Sequence, residues 1–121
     1  MKFRSNCPIS SALDIIGDKW SLIIIRDLLF FEKKTFKELS NSLENIATNI
    51  LASRLKNLEA SNILTRNNLL NNKKTKHYKL TEKGRGLKPI LEELGNWSST
   101  YLKEDHKTMI QQHKIMKFLN N

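Results

Sequence analysis

Apolar residues at Ile46, Ile50, Leu51, Leu55 and Leu58 recur at the spacing of one helical face. Two short β-prone runs follow directly, around a basic, Asn-rich turn, Asn71-Asn72-Lys73-Lys74-Thr75-Lys76. Positions three and four apart line one side of a helix, whereas β-prone runs around a polar turn make a hairpin. A helix with one apolar face followed at once by a positive hairpin is the layout of a winged helix. In that layout the helix can enter a DNA major groove while the hairpin grips the neighbouring backbone.

The rest of the chain supports this frame. Ile9, Ala12, Leu13 and Ile16 predict a helix over about 8–16, with Pro8 at its first position, Cys7 near its N-cap and Gly17 at its end. Asp18 is placed to cap the next helix, about Lys19 to Phe31, whose apolar residues wrap most of the way round. Such a helix is a central strut covered on several sides, with Trp20 as a core anchor. Thr35 and Glu38 form a capping box for a third helix, Phe36 to Leu43, with Phe36, Leu39 and Leu43 as its buried stripe. A short connection leads to the fourth helix, about Ala47 to Ala60, completing a helix-turn-helix over about 35–61. Strands over Ile63 to Leu70 and Lys76 to Leu80 make a wing over about 63–80. Thr81 caps a further helix, and Pro89 implies a kink or a late helical start. Ile90, Leu91, Leu94, Trp97 and Tyr101 then repeat at helical spacing, and Glu104 to Leu119 is loosely helical. The expected architecture is mainly α with a small β-wing, one domain over residues 1–121. The apolar stripes of the end helices, about 8–16 and 89–119, exceed what one small core needs and point to a homodimer interface.

Charge sharpens the picture. The 121 residues carry a formal net charge of +9, which favours an acidic partner, nucleic acid before membrane. Leu64 to Leu80 holds Arg66, Lys73, Lys74, Lys76 and Lys79 and no acid. Trp20 to Phe31 is too short to span a bilayer and is broken by Arg26-Asp27. The N-terminus has no apolar signal-like run, and a single Cys fits a reducing cytoplasm.

With Ile50, Leu51, Leu55 and Leu58 inward, Thr48, Asn49, Ala52, Ser53, Lys56 and Asn57 face outward. Asn49, Ser53 and Lys56 share one stripe. Asn bonds adenine bidentately, Ser is a short donor and acceptor, and Lys reaches guanine or phosphate. Lys73, Lys74 and Lys76 are the expected phosphate contacts of the wing. Arg54, at the edge of the apolar side, has two readings of equal weight, a phosphate clamp and a structural ion pair. Cys7 is the one candidate for reactive chemistry, a thiol at a helix N-terminus with Arg4 and Lys2 close in sequence. Against that stands a small, inert, buried hydrophobe, which chemistry alone favours. No catalytic motif, cofactor motif or metal-ligand spacing stands out. His106 and His113, seven apart on a predicted helical face, read as solvated side chains. An enzyme is therefore not expected. A winged helix that binds protein or RNA is the rival, and it would give no protection of a specific duplex.

The segments CPISSALDIIGDKWSLIIIRDLL, TFKELSNSL, ILASRLKNLEASNIL and YKLTEKGRGLKPILEELGNW, in that order, resemble the HxlR-type winged-helix transcriptional regulators, relatives of the MarR group. The resemblance covers roughly residues 6–102. It implies a homodimer, joined through its first and last helices, on a pseudo-palindromic double-stranded DNA operator. The family pattern usually has Ser where this chain has Ala47, so capping by Thr48 or a shifted helix start is expected. Some members sense oxidants or electrophiles through a Cys at the place of Cys7, so the resemblance implies Cys7 as a sensor candidate. A small-molecule effector is the alternative route for a signal.

Overall fold

Proline at the first helical position and glycine beyond the last bracket α1, which runs Pro8–Ile16 in the computed structural model of the chain. The structure describes residues 2–69 and 72–116. Cys7 is the N-cap of α1, and Gly17 donates its N–H to the Leu13 carbonyl at 2.9 Å. The strut, α2, spans Ser21–Leu29, two residues shorter at each end than its apolar pattern predicts. Asp18 still caps it, because its Oδ1 accepts from the amides of Trp20 and Ser21, both at 2.9 Å. Ile24 and Ile25 are buried, and α2 packs against α3, α4, α6 and β2. Trp20 is half-buried against the core.

The predicted capping box is complete: Thr35 accepts from the Glu38 amide, and Glu38 accepts from the Thr35 amide. The helix it starts, α3, covers Phe36–Ser40 and stops three residues before the expected end at Leu43. Asn41 leaves helical geometry at φ −93° and ψ 48°, and Asn45 takes a positive φ of 55°, a conformation asparagine tolerates. Leu43 is consequently 65% exposed and not part of a buried stripe. The buried Ser42 hydroxyl accepts from the Ile46 amide at 3.1 Å and turns the chain into α4, Thr48–Ala60.

The wing is an antiparallel pair, β1 (Leu64–Leu69) and β2 (Asn72–Leu80). Here the sequence expectation is corrected. Lys73, Lys74 and Thr75, expected in the turn, belong to β2. The register runs from Leu64 opposite Leu80 to Asn68 opposite Lys76, then shifts so that Leu69 faces Asn72. This bulge-like irregularity takes up the extra β2 residues and lets pairing continue beyond the point where composition predicts a turn. Leu70 and Asn71 lie outside the described residues. The Tyr78 amide donates to the Lys34 carbonyl at 2.7 Å and ties the wing to the segment before α3.

Thr81 caps α5, Glu82–Arg85, and α6 follows as Lys88–Tyr101. The break at Gly86-Leu87 is the interruption that Pro89 implies. A Cβ on Gly84 would lie 2.2 Å from the Ile63 carbonyl oxygen, so glycine is what lets α5 sit against the link between α4 and β1. The predicted long last helix does not run as read: residues 102–111 are turns and irregular chain, and among the described residues α7 covers Gln112–Met116. α7 folds back on α6, with the Gln112 amide donating to Ser99 Oγ at 3.2 Å and the Gln112 side chain lying on Gly95, where a Cβ would displace it. His106 is in the irregular stretch and shares no helix face with His113. Residues 117–121, the end of the predicted interface helix, lie outside the described residues.

Candidate nucleic-acid interface

The two faces of α4 separate as the pattern predicts. Leu51, Leu55 and Leu58 are buried and Ile50 half-buried, while Thr48, Asn49, Ala52, Ser53, Lys56 and Asn57 are exposed. Among the described residues no other side chain engages Asn49 or Lys56, so both are available to a ligand. Ala47 is the N-cap and offers no side-chain acceptor; Thr48 is the first helical residue and does not take over the cap. The first amides of α4 are therefore left for water or an anion.

Arg54 is placed differently from Thr48, Asn49, Ser53 and Lys56. Its Nε donates to Asp18 Oδ1 at 3.1 Å and its Nη1 to Ser53 Oγ at 3.4 Å. Burial pushes the Asp18 carboxyl up. The Ser21 hydroxyl, the Trp20 and Ser21 amides and Arg54 together outweigh that and hold it below the ordinary carboxylate range.

On the wing, Lys73 and Lys74 are placed on β2 by their backbone, and Lys76 is half-buried. Lys76 and Lys37 line one cleft of about 500 Å³ between α3 and β2, with Phe36 and Tyr78. Lys34, Lys37 and Lys79 are exposed and have no carboxylate partner among the described residues. Lys34 and Lys37 are absent from the sequence-based candidates. Their signal is the run Lys33-Lys34 followed by Lys37, beside which Glu38 is consumed by capping. The Lys34 and Thr35 amides both donate to Glu38, and these bonds hold its carboxyl below the ordinary range. Lys33 turns inward instead, donating to Asp27 Oδ2 at 3.2 Å and to the Asn41 carbonyl at 2.8 Å.

Cys7 is exposed, and its amide donates to Ser5 Oγ at 3.1 Å. Arg4, expected beside the thiol, is drawn into an ion pair with Asp14.

A family model described as HxlR-like helix-turn-helix matches residues 15–106. The chain belongs to the HxlR-like helix-turn-helix family. This HxlR-like chain is 33% identical over 109 residues to the HTH-type transcriptional regulator YodB of Bacillus subtilis, covering 89% of this chain and 96% of YodB. Among solved structures it is similar to PA1607, a putative transcription factor, at TM-score 0.74 and 38% identity over 81% of this chain and 67% of that one. It is also similar to the reduced redox regulator HypR, at TM-score 0.66 and 28% identity over 83% of this chain and all of HypR (100%). The family and these relatives are transcriptional regulators, not enzymes, and a helix-turn-helix regulator binds DNA. The HxlR-like motif residues have visible jobs. The Cys-Pro opening is the N-cap and first turn of α1, Asp18 caps α2, and Gly84 permits the contact with Ile63. No helix among the described residues is long and apolar enough to cross a membrane.

Proposed function

We propose that this regulator acts in the cytoplasm as a homodimer on a pseudo-palindromic duplex operator, without a cofactor. In this reading α4 reads bases and the wing holds phosphate. The observation that carries it is the exposed, acid-free face of α4, on which Asn49, Ser53 and Lys56 project free of the core while Leu51, Leu55 and Leu58 anchor the other side. Thr48 and the wing residues Lys73, Lys74 and Lys76 complete the contact set, with Arg54 at its edge. The dimer reading is supported by α6, which has no buried residue and exposes Ile90, Leu94, Trp97 and Tyr101 along one stripe. With two-fold symmetry the reading helices would lie about 34 Å apart, one turn of DNA.

The test is footprinting on the intergenic DNA flanking the gene, followed by two substitutions. Asn49→Ala should relax sequence preference, at about 1–3 kcal/mol per lost base contact. Lys76→Ala should weaken binding to all sequences alike and reduce the salt slope by about one per half-site. The opposite pattern, with preference altered by Lys76→Ala and not by Asn49→Ala, would reverse the two roles. A protein that protects no duplex would return the protein- or RNA-binding rival.

A signal is proposed to enter at Cys7. YodB has been solved in reduced, quinone-bound and diamide-treated forms, and HypR in reduced and oxidised forms. In this chain the thiol is exposed at the start of α1. With one Cys per chain, the oxidised product is an intersubunit disulfide or a mixed disulfide with a small thiol, two thiols giving up two electrons and two protons to the oxidant. Diamide should lower operator affinity of the wild type and leave Cys7→Ser unchanged. Equal loss in both would move the signal elsewhere. The cavity of about 390 Å³ between α2, α6 and α7, lined by Leu22, Phe30, Leu91, Met109 and Ile110, would then be the place for a small apolar effector.

A further inference from the structure

The reading helix is held to α2 at two points. At the start of α2, Asp18 caps the helix with the amides of Trp20 and Ser21 and receives Arg54 Nε from the middle of α4 at 3.1 Å. At the other end of α2, Arg26 forks onto Glu44, in the turn just before α4, with Nη1 to Oε2 at 2.7 Å and Nη2 to Oε1 at 2.9 Å. Between these two ion pairs the apolar contacts of Leu51 and Leu55 set the depth of α4 in the core. Apolar packing tolerates rotation and sliding more readily than a directed bond does. The ion pairs therefore fix the roll and position of the exposed face. Arg54 is about as exposed as Asp18, 29% against 30% of the side chain, so the pair sits at the rim between core and reading face.

From this geometry we infer that Arg54 is a positioning residue, not a phosphate grip: through Asp18 it sets the angle at which α4 presents Asn49 and Ser53 to the groove. The inference rests on α4 being the DNA-reading helix. Gly17, which ends α1, immediately precedes Asp18, so the same bond joins α1 to the reading helix through a single residue. A movement of α1 would reach α4 by this route.

The two roles for Arg54 give opposite signs for one substitution. Asp18→Asn removes the charge that holds Arg54 and keeps a good N-cap for α2. If Arg54 grips phosphate, Asp18 is its competitor, and Asp18→Asn should bind all DNA more tightly. If Arg54 positions α4, Asp18→Asn should lose about tenfold in operator affinity, the scale of one disturbed base contact. It should do so although the protein has become more positive, with binding to unrelated duplex and the salt slope unchanged. Arg54→Ala should lose as much, and Asp18→Asn combined with Arg54→Ala should be no worse than Arg54→Ala alone. Arg54→Lys keeps the charge and loses the directed Nε and Nη1 bonds to Asp18 and Ser53, so it should discriminate poorly while holding the wild-type salt slope. Tighter binding by Asp18→Asn, or a salt slope reduced by about one per half-site in Arg54→Ala, would overturn the inference. One readout is independent of DNA: amide exchange across residues 48–60 of the free protein should accelerate in Asp18→Asn relative to α6. Unchanged exchange in α4 would also overturn it, whereas accelerated exchange in a protein that binds no specific duplex would indict only the DNA-reading assignment.

Discussion

Replacing Asp27 with alanine should cost the fold about 3–5 kcal/mol, a large part of the roughly 5–15 kcal/mol that holds a domain together. Asp27 is 1% exposed. Its Oδ1 accepts from Arg26 Nε at 3.0 Å and Nη2 at 2.8 Å, and its Oδ2 accepts from Lys33 Nζ at 3.2 Å. Two cations therefore converge on one buried carboxylate, and Arg26 passes its other edge to Glu44. Burial alone would make Arg26 easier to deprotonate, but its bonds to Glu44 and Asp27 outweigh that and raise it. Without Asp27 the Arg26 guanidinium keeps Glu44 and the face of Phe31, and Lys33 keeps the Asn41 carbonyl and the Phe31 ring, but each loses its buried carboxylate. The cost comes from these stranded charges more than from the lost attraction itself. Urea unfolding of the variant at neutral pH measures it. A loss below about 1 kcal/mol would mean that water takes the place of the carboxylate and that the cluster is effectively a surface pair.

Arg26-Asp27 also shows where sequence reading stops. Along the chain this pair only interrupts an apolar run and argues against a membrane span. Its partners, Lys33 and Glu44, lie 6 and 18 residues away, and no local periodicity connects them. Arg54 and Asp18, 36 residues apart, are the same case: a sequence places Arg54 at the edge of a face but cannot say which acid meets it. Features that depend on neighbours within one turn were legible. Pro8 and Gly17 bound α1 correctly, Thr35 and Glu38 form their capping box, and the outward set on α4 is exposed as read. The misses share one origin, since tertiary contacts overrode local pattern. Leu43 fits the stripe of α3, but Asn41 leaves helical geometry and Ser42 turns the chain toward α4. Polar Lys73, Lys74 and Thr75 read as a turn, yet they lie within β2, taken up in the irregularity between the Asn68–Lys76 and Leu69–Asn72 pairs. The loose apolar spacing after Glu104 reads as a helix, but the chain spends it on folding back, so that Gln112 can reach Ser99 and Gly95.

Trp97→Glu should turn the proposed dimer into a monomer without unfolding the chain. Trp97 is 54% exposed in the single chain, and its neighbours along α6, Ile90, Leu94 and Tyr101, are 48%, 50% and 67% exposed. The Trp97 and Tyr101 rings lie 5.8 Å apart and present a continuous aromatic surface. The core does not use this surface, since no residue of α6 is buried, so an acid there should leave the monomer intact. In a two-fold interface the substitution occurs twice and sets like charges near each other. At about 2 kcal/mol or more for each lost aromatic anchor, the dimerisation constant should fall by about 10³ or more. Operator affinity should fall with it, because a monomer loses the second half-site that the first would otherwise bring close. Weak binding to an isolated half-site should survive, because Asn49, Ser53 and Lys56 are untouched. Sedimentation at micromolar concentration reads the assembly directly. A Trp97→Glu protein that remained dimeric and held its operator would place the interface elsewhere than α6.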